Sequence, residues 1–137
     1  MTNTYIVRRM DDLGRIVIPK EIRRTMNLKS GDPFEIYTTR DGCVCFKKYY
    51  PIDTQNWEKA FRVANLMLTT EFALLNYDGE VMEHNSQKEV YIDTSKLNKP
   101  IYLDGEIVGY LQALDDNCNE KRFAEVVKII EEIFKNN

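Results

Sequence analysis

Basic side chains are concentrated near the N-terminus of this 137-residue chain, and most of them are arginines. Six of them fall within residues 8–24, five being Arg: Arg8, Arg9, Arg15, Lys20, Arg23 and Arg24. A guanidinium group is a planar fork of donors that matches a phosphate or the edge of a guanine. This residue type, gathered at predicted strand ends and on a predicted helix, indicates a nucleic-acid surface, with a solvated charged face as the alternative.

The net charge of −3 is an average over two unlike halves. Residues 1–50 carry ten Lys or Arg and six Asp or Glu, a net charge of +4. Residues 51–137 carry nine Lys or Arg and sixteen Asp or Glu, a net charge of −7. A basic half joined to an acidic half is typical of a protein with a nucleic-acid surface on one side, so we expect the acidic half to face away from the phosphates.

Patterns that would support catalysis or metal binding are weak. Glu83 and His84 are the one adjacent carboxylate–imidazole pair, and neighbouring strand residues point to opposite faces. The sequence has no serine elbow, P-loop or dinucleotide-binding glycine motif. Cys43, Cys45 and Cys118 with one histidine cannot supply a four-ligand zinc site, and their odd number disfavours a disulfide framework. We therefore expect a protein that is not an enzyme, with no metal or other cofactor.

Composition favours a packed protein outside the membrane. Apolar residues make up 43% and charged residues 30% of the chain. No apolar run approaches the roughly 18 residues that would suggest a membrane span. The first twelve residues lack the basic-then-apolar order of a signal peptide. We expect a cytoplasmic, nucleoid-associated protein.

The first 50 residues predict short strands around turns and one small helix. Strands are predicted over residues 5–10, 15–18, 34–39 and 43–49, and a helix over residues 19–28 that begins at a proline. Gly31 is expected to adopt a positive φ, and Asp41-Gly42 is a favoured hairpin turn.

The remaining residues, 51–137, predict a small α+β domain after a linker near Pro51. Asp53 or Thr54 can cap a helix whose apolar residues recur every three or four positions, at Trp57, Phe61, Ala64 and Leu68. Hairpin turns are expected at Asp78-Gly79 and Asp104-Gly105, a strand at Val90–Asp93 and a loop over residues 96–100. A final helix over residues 119–135 carries one apolar stripe, so the order is helix, four or five strands, helix.

The motif Asp-Leu-Gly-Arg-Ile-Val-Ile-Pro-Lys-Glu-Ile-Arg at residues 12–23 is the most specific in the chain. Together with residues 6–11, 31–37 and 47–49, it resembles the N-terminal domain of AbrB-type transition-state regulators. The resemblance covers about residues 5–50. It implies that residues 1–50 form a swapped-hairpin β-barrel, in which two chains interleave into an obligate homodimer. So short a domain buries little core by itself, which makes such intertwining physically reasonable.

The resemblance also implies a DNA-contacting surface. In that family, arginines at the positions of Arg8, Arg15, Arg23 and Arg24 form this surface. Further candidates for phosphate contacts are Arg9, Lys20, Lys47 and Lys48. The implied function is a transcriptional regulator whose partner is double-stranded DNA.

The acidic half resembles, through residues 72–81 and 100–111, the GAF-type sensor domain of SpoVT-type regulators. It is short for such a domain, at about 81 residues from Trp57 to Asn137. One role left open is sensing of a small-molecule effector. The candidate lining residues are Phe72, Leu74, Tyr91, Tyr102 and Tyr110, although apolar and aromatic side chains of this kind more often pack in a core. The other is dimerisation or tetramerisation through the helices at residues 54–69 and 119–135.

An antitoxin is the alternative from a different functional class. Antitoxins with the same swapped-hairpin domain bind DNA and neutralise a toxin, usually through a disordered acidic C-terminal tail. Here the C-terminal half is acidic but patterned for hairpins and a helix. Whether residues 51–137 are folded or disordered distinguishes the two interpretations.

Overall fold

The structure, a computed structural model, describes residues 5–136. Residues 1–4 of the predicted first domain and residue 137 of the predicted second lie outside the described residues. The chain forms two compact units, of which the first ends at Tyr49 and the second begins at Tyr50. This division falls one residue before the predicted boundary.

The first unit contains one helix and one hairpin. Helix α1 spans Lys20–Thr25, and strands β1 (Phe34–Thr38) and β2 (Val44–Lys48) pair antiparallel. The hairpin turn was predicted correctly, and its Gly42 has a φ of 89°. Gly31 also has the expected positive φ.

Helix α1 is shorter than predicted because its C-terminus is closed by backbone hydrogen bonds. Asn27 adopts a φ of 53°, and its N–H donates to the Arg24 carbonyl. The Leu28 N–H donates to the Arg23 carbonyl at 2.8 Å. This pair of bonds is a Schellman motif, in which a left-handed residue ends the helix.

Residues 5–10 and 15–18, predicted as strands, form no strand within the chain. They flank a turn in which the Asp11 N–H donates to the Arg15 carbonyl at 3.0 Å and the Gly14 N–H to the Asp11 carbonyl. Strand assignment requires a paired neighbour, so a β-prone sequence without one stays outside a sheet.

The second unit is an α+β fold with helices at both ends. Its elements are α2 (Thr54–Met67), β3 (Phe72–Asn76), β4 (Val81–His84), β5 (Asn98–Leu103), β6 (Glu106–Ala113) and α3 (Glu120–Lys135). The strands form one antiparallel sheet in the order β4-β3-β6-β5. Both hairpins and both helices were predicted. Asp53 caps α2 by accepting a hydrogen bond from the Asn56 N–H at 2.8 Å, and Asn119 caps α3 in the same way.

Two sequence-based assignments in this unit were wrong. Val90–Asp93 is not a strand but part of the loop between β4 and β5. The Asp93 carbonyl there accepts a hydrogen bond from the fully buried Gln112 side chain at 3.0 Å. Residues 98–100 belong to β5 rather than to a loop, and Pro100 is tolerated because β5 is an edge strand.

The core of the second unit lies between one face of the sheet and the two helices. Phe72 and Leu74 of β3 are fully buried there with Phe123 and Ile130 of α3. Trp57 of α2 also joins this cluster. The apolar periodicity of both helices therefore correctly identified their buried faces.

Candidate nucleic-acid interface

Seven of the eight basic residues predicted to contact DNA have exposed side chains: Arg8, Arg9, Arg15, Lys20, Arg23, Arg24 and Lys47. They belong to the segment around the first turn, to α1 and to β2. Exposure keeps their donors accessible to a macromolecular partner, which a phosphate-binding surface requires.

Arg15 is held in place by the turn that precedes it. Its Nε donates to Asp11 Oδ2 at 2.8 Å, and its backbone N–H donates to Asp11 Oδ1 at 2.8 Å. Asp11 also accepts from the Leu13 N–H, which closes the turn. The hydrogen bonds from the Arg15 backbone and then from its side chain lower the pKa of the Asp11 carboxyl. The Arg15 side chain remains 71% exposed, so the guanidinium is oriented yet accessible.

Arg23 and Arg24 occupy the last turn of α1, with Glu21 in the first. Cations at a helix C-terminus and anions at its N-terminus both interact favourably with the helix dipole. The same placement that stabilises this short helix also displays two adjacent guanidinium groups on its surface.

The two lysines of β2 differ in their surroundings. Lys47 lies opposite Glu35 of β1, with 3.7 Å between Nζ and Oε2, and both side chains are largely exposed. Lys48 is only 8% exposed, since its Nζ donates to the Asn27 carbonyl at 3.0 Å and lies 3.3 Å from Asp32 Oδ2. Lys48 thus connects the hairpin to the segment after α1 instead of facing solvent.

The five residues predicted to line an effector pocket are not brought together. Phe72 and Leu74 are packed in the core on the helix-facing side of the sheet. Tyr110 pairs with Leu75, and the alternation of β3 places it on the opposite face from Leu74. Tyr91 is exposed in a loop, and Tyr102 is exposed on the edge strand β5.

A cavity of about 400 Å³ lies elsewhere in the second unit. Residues 50–54 form part of its wall, together with Trp57 of α2, the β3–β4 turn and Val108 of β6. This site was not predicted, because Trp57 was expected on the apolar face of a helix and residues 50–53 in a linker. The signal available in the sequence was the aromatic and acidic residues of two segments, 50–57 and 76–80. Only the fold brings these two segments together.

The structure adds three observations on other kinds of site. Within residues 5–136, no group of three or more His, Cys, Asp or Glu side chains is placed to hold a metal ion. The three cysteines are not disulfide-bonded. No helix in the described part of the chain is long and apolar enough to cross a membrane.

Comparison with known proteins finds similarity to one family model and to curated regulators. The model described as "Antidote-toxin recognition MazE, bacterial antitoxin" matches residues 3–44. Stage V sporulation protein T of Bacillus subtilis (strain 168) is 41% identical over 119 residues, which make up 85% of this chain and 60% of that protein. Transition state regulatory protein AbrB of the same organism is 49% identical over 51 residues, or 37% of this chain and 52% of AbrB.

The chain therefore spans only about half to three-fifths of the length of these relatives. The predicted resemblance to AbrB-type regulators is confirmed over 51 residues, and the predicted resemblance to SpoVT is confirmed over 85% of the chain. The chain is thus similar to MazE-type antitoxins over residues 3–44, to AbrB over 51 residues, and to stage V sporulation protein T over most of its length.

Proposed function

We propose that this protein is a transcriptional regulator that binds double-stranded DNA through the first unit. The observation that carries the proposal is the set of exposed basic side chains at Arg8, Arg9, Arg15, Lys20, Arg23, Arg24 and Lys47, in a segment homologous to AbrB. Lys48 is left out of this surface because its ammonium group is engaged with Asp32 and Asn27. The proposed activity places the protein at the nucleoid, in the cytoplasm.

The same unit is proposed to be an intertwined homodimer of the swapped-hairpin type. None of the residues 5–49 is buried in the single chain. On one face of the β1–β2 hairpin, Ile36 is 74% and Val44 is 71% exposed. A lone two-stranded hairpin is marginally stable in water, and exposed apolar strand faces favour association.

The unpaired segments at residues 5–10 and 15–18 supply the strands for such an exchange. Apolar residues of these segments face solvent in the single chain, with Val7 86% and Val17 71% exposed. Pairing these segments with a second copy would satisfy their backbone donors and acceptors and cover the hairpin face. This arrangement makes the dimer a condition for folding of the first unit.

Dimerisation doubles the basic surface that faces DNA. Two copies of the +4 half carry a charge of +8, and every arginine occurs twice. Release of counterions from neutralised phosphates would supply much of the affinity, with a slope in log salt near −0.9 per phosphate. Since α1 is only six residues long, we expect DNA shape and deformability to contribute to specificity beside a few arginine contacts.

The second unit is proposed to serve in oligomerisation and effector sensing, as a shortened GAF-like domain. Its antiparallel sheet, which one helix precedes and another follows in the chain, agrees with that type of fold. Its net charge of −7 over residues 51–137 would be repelled by phosphates, which leaves DNA contact to the first unit.

The DNA proposal is tested by the double substitution Arg15→Ala with Arg23→Ala. Each dimer would lose four guanidinium groups, so we expect affinity for promoter DNA to fall by about 100-fold and the salt slope to shrink by roughly two to four units. Arg62→Ala on the exposed surface of α2 is the matched control, and its affinity should stay within about twofold of the wild type. Fluorescence anisotropy with labelled DNA at several salt concentrations measures both quantities.

Light scattering on the same samples establishes whether each variant is still a dimer. If the double variant remains dimeric and binds DNA with unchanged affinity and salt slope, the assigned surface is incorrect. Loss of binding by the Arg62→Ala variant alone would place the DNA contact in the second unit instead.

An antitoxin is the second candidate, because the family model matched by residues 3–44 describes bacterial antitoxins. Against it, residues 50–136 form a unit with its own core, whereas a toxin-wrapping tail is usually disordered before binding. A gene deletion tests the two functions. An antitoxin gene can be deleted only together with its toxin gene, whereas a regulator gene can be deleted alone with altered transcription.

A further inference from the structure

The cavity of the second unit is large enough for a small molecule and combines apolar walls with a few polar groups. Its volume of about 400 Å³ lies within the range of ligand pockets. Trp57, Met82 and Val108 provide apolar surface, and all of the lining residues belong to residues 50–108 of the second unit. None of its lining residues is among the predicted site residues.

Aromatic rings form a large part of the wall. Tyr50 and Tyr77 lie with their ring centroids 5.5 Å apart, and Trp57 also lines the cavity. The Tyr50 hydroxyl donates to the Asp78 carboxylate at 3.0 Å. A hydrogen bond to a carboxylate makes a phenol ring more electron-rich, and the faces of Trp and Tyr attract cations.

The charges around the cavity are negative. Asp53 and Glu80 line it, and Asp78 lies next to its Tyr50 wall. Among the described residues, those that line it include no Lys, Arg or His. An anionic ligand would therefore meet carboxylates without any compensating basic side chain, which disfavours it.

The positive end of the α2 helix dipole would favour an anionic ligand, but only weakly. A helix N-terminus is equivalent to roughly half a positive charge, and the Asp53 carboxylate already caps it at the Asn56 N–H. Three full negative charges outweigh that half charge. The local potential thus favours a cation.

The floor of the cavity also carries an oriented amide. Asn76 is only 5% exposed, and its Oδ1 accepts hydrogen bonds from the N–H groups of Asp78 and Glu80. These two bonds fix the Asn76 side chain against the β3–β4 turn in the cavity wall.

We propose that this cavity binds a small organic cation, an amine with an apolar or aromatic body. The aromatic walls would hold the body and the ammonium group, and the carboxylates of Asp53 and Glu80 would select the positive charge. This inference deepens the proposed function, since the cavity would be the effector site of the regulator. Residues 50–54, which form its wall, directly follow the last residue of the basic unit in the chain.

A matched series of probes tests the charge preference on the full-length protein. 2-Phenylethylamine, 2-phenylethanol and phenylacetate share a phenylethyl or benzyl body and differ in being cationic, neutral and anionic. Trp57 is the single tryptophan, so its fluorescence, excited where phenyl groups do not absorb, reports directly on the cavity. We expect saturable binding of the amine, about tenfold weaker binding of the alcohol and none of the acid.

Three variants assign this preference to residues. Glu80→Gln and Asp53→Asn each remove one charge, and Asn is as good a helix cap as Asp, so α2 should remain intact. We expect each to weaken amine binding about three- to fivefold and to leave the alcohol unchanged. Glu125→Gln, which changes an exposed carboxylate of α3 outside the cavity, is the control and should bind the amine as the wild type does.

Equal binding of all three probes, tighter binding of phenylacetate, or no response from Trp57 would overturn the inference. An equal loss in the Glu125→Gln variant would do the same, because it would show a general charge effect. The titration is done without DNA, and wild-type DNA affinity is measured separately. A failure of the cavity to bind amines is therefore distinguishable from a failure of the protein to bind DNA.

Discussion

The two units of this chain differ most in what they bury. None of the residues 5–49 is buried, whereas the second unit contains eighteen buried apolar residues around its sheet and helices. The first unit nevertheless has apolar side chains, which face solvent at Val7, Ile36 and Val44. A chain of fewer than 50 residues with one hairpin cannot enclose its own core, while a four-stranded sheet with two helices can. The contrast supports the proposal that the first unit requires a second copy to fold, whereas the second unit has a core of its own.

The largest effect that tests this contrast comes from a pair of Ile→Ala substitutions. Ile130 on α3 is fully buried, so Ile130→Ala should reduce the free energy of unfolding by about 2–5 kcal/mol at every protein concentration. Ile36 on the hairpin face is 74% exposed in the single chain. If a second copy covers it, Ile36→Ala should lower the melting temperature of the first unit, more so on dilution.

Calorimetry of both variants over a hundredfold concentration range provides the measurement. The proposal that a second copy covers Ile36 is contradicted if the thermal unfolding of the Ile36→Ala protein does not depend on concentration and coincides with that of the wild type. The packed core of the second unit is contradicted if the Ile130→Ala protein is as stable as the wild type.

A pair of Gly→Ala substitutions gives an intermediate effect. A Cβ atom on Gly109 would lie 2.3 Å from the Leu75 carbonyl oxygen and 2.6 Å from Trp57 Cη2, so the packed unit has no room for it. Gly42 in the hairpin turn has nothing within 4 Å of such an atom, but its φ is 89°. We expect Gly109→Ala to cost about 3 kcal/mol through overpacking and Gly42→Ala about 1 kcal/mol through backbone strain.

Urea unfolding followed by circular dichroism measures both costs, and Trp57 fluorescence reports the displacement in the first variant. A Gly109→Ala protein with unchanged stability and an unchanged Trp57 spectrum would show that the second unit is packed more loosely than the structure indicates.

The smallest expected effect concerns the first turn. The pKa of the Asp11 carboxyl is lowered first by the hydrogen bond from the Arg15 backbone and second by that from its side chain. Stability from this carboxylate is therefore present above its unfolded-state pKa and is lost as the pH falls through the lower folded-state value. In Arg15→Ala the backbone bond remains, so the pKa should rise only part of the way towards 3.8.

An NMR titration of the Asp11 side chain provides that measurement, with Asp12 as the internal reference. A pKa that returns fully to the ordinary value in the Arg15→Ala protein would show that the turn itself depends on the guanidinium.

Local signals predicted most of the second unit. The cap at Asp53, the turns at Asp78-Gly79 and Asp104-Gly105, and the stripe of the last helix each depend on residues close in sequence. The predicted secondary structure was wrong where contacts between distant residues determine the backbone conformation. Residues 90–93 have the composition of a strand, but they lie in a loop whose Asp93 carbonyl is bonded to Gln112.

The candidate sites likewise combine features that local sequence predicts with features that depend on contacts between distant residues. The exposure of the basic residues could be predicted from residue type alone, because exposure of a charged side chain is the default and needs no fold to specify it. Lys48 is the exception, since its burial beside Asp32 arises only when β2 approaches the segment after α1. The cavity was missed because its walls come from residues 50–57, 76–82 and 108, which are distant in sequence.

The sequence by itself determined the opposite charges of the two halves and the resemblance of the first half to AbrB-type regulators, since charge and a contiguous motif do not depend on how the chain folds. Only the tertiary structure decided which apolar residues find a partner within the chain. Burial is a property of contacts between distant segments, and it left Ile36 and Val44 uncovered while enclosing Phe72 and Ile130. The same contacts placed Tyr50, Trp57 and Asn76 around one cavity, which no local pattern specifies.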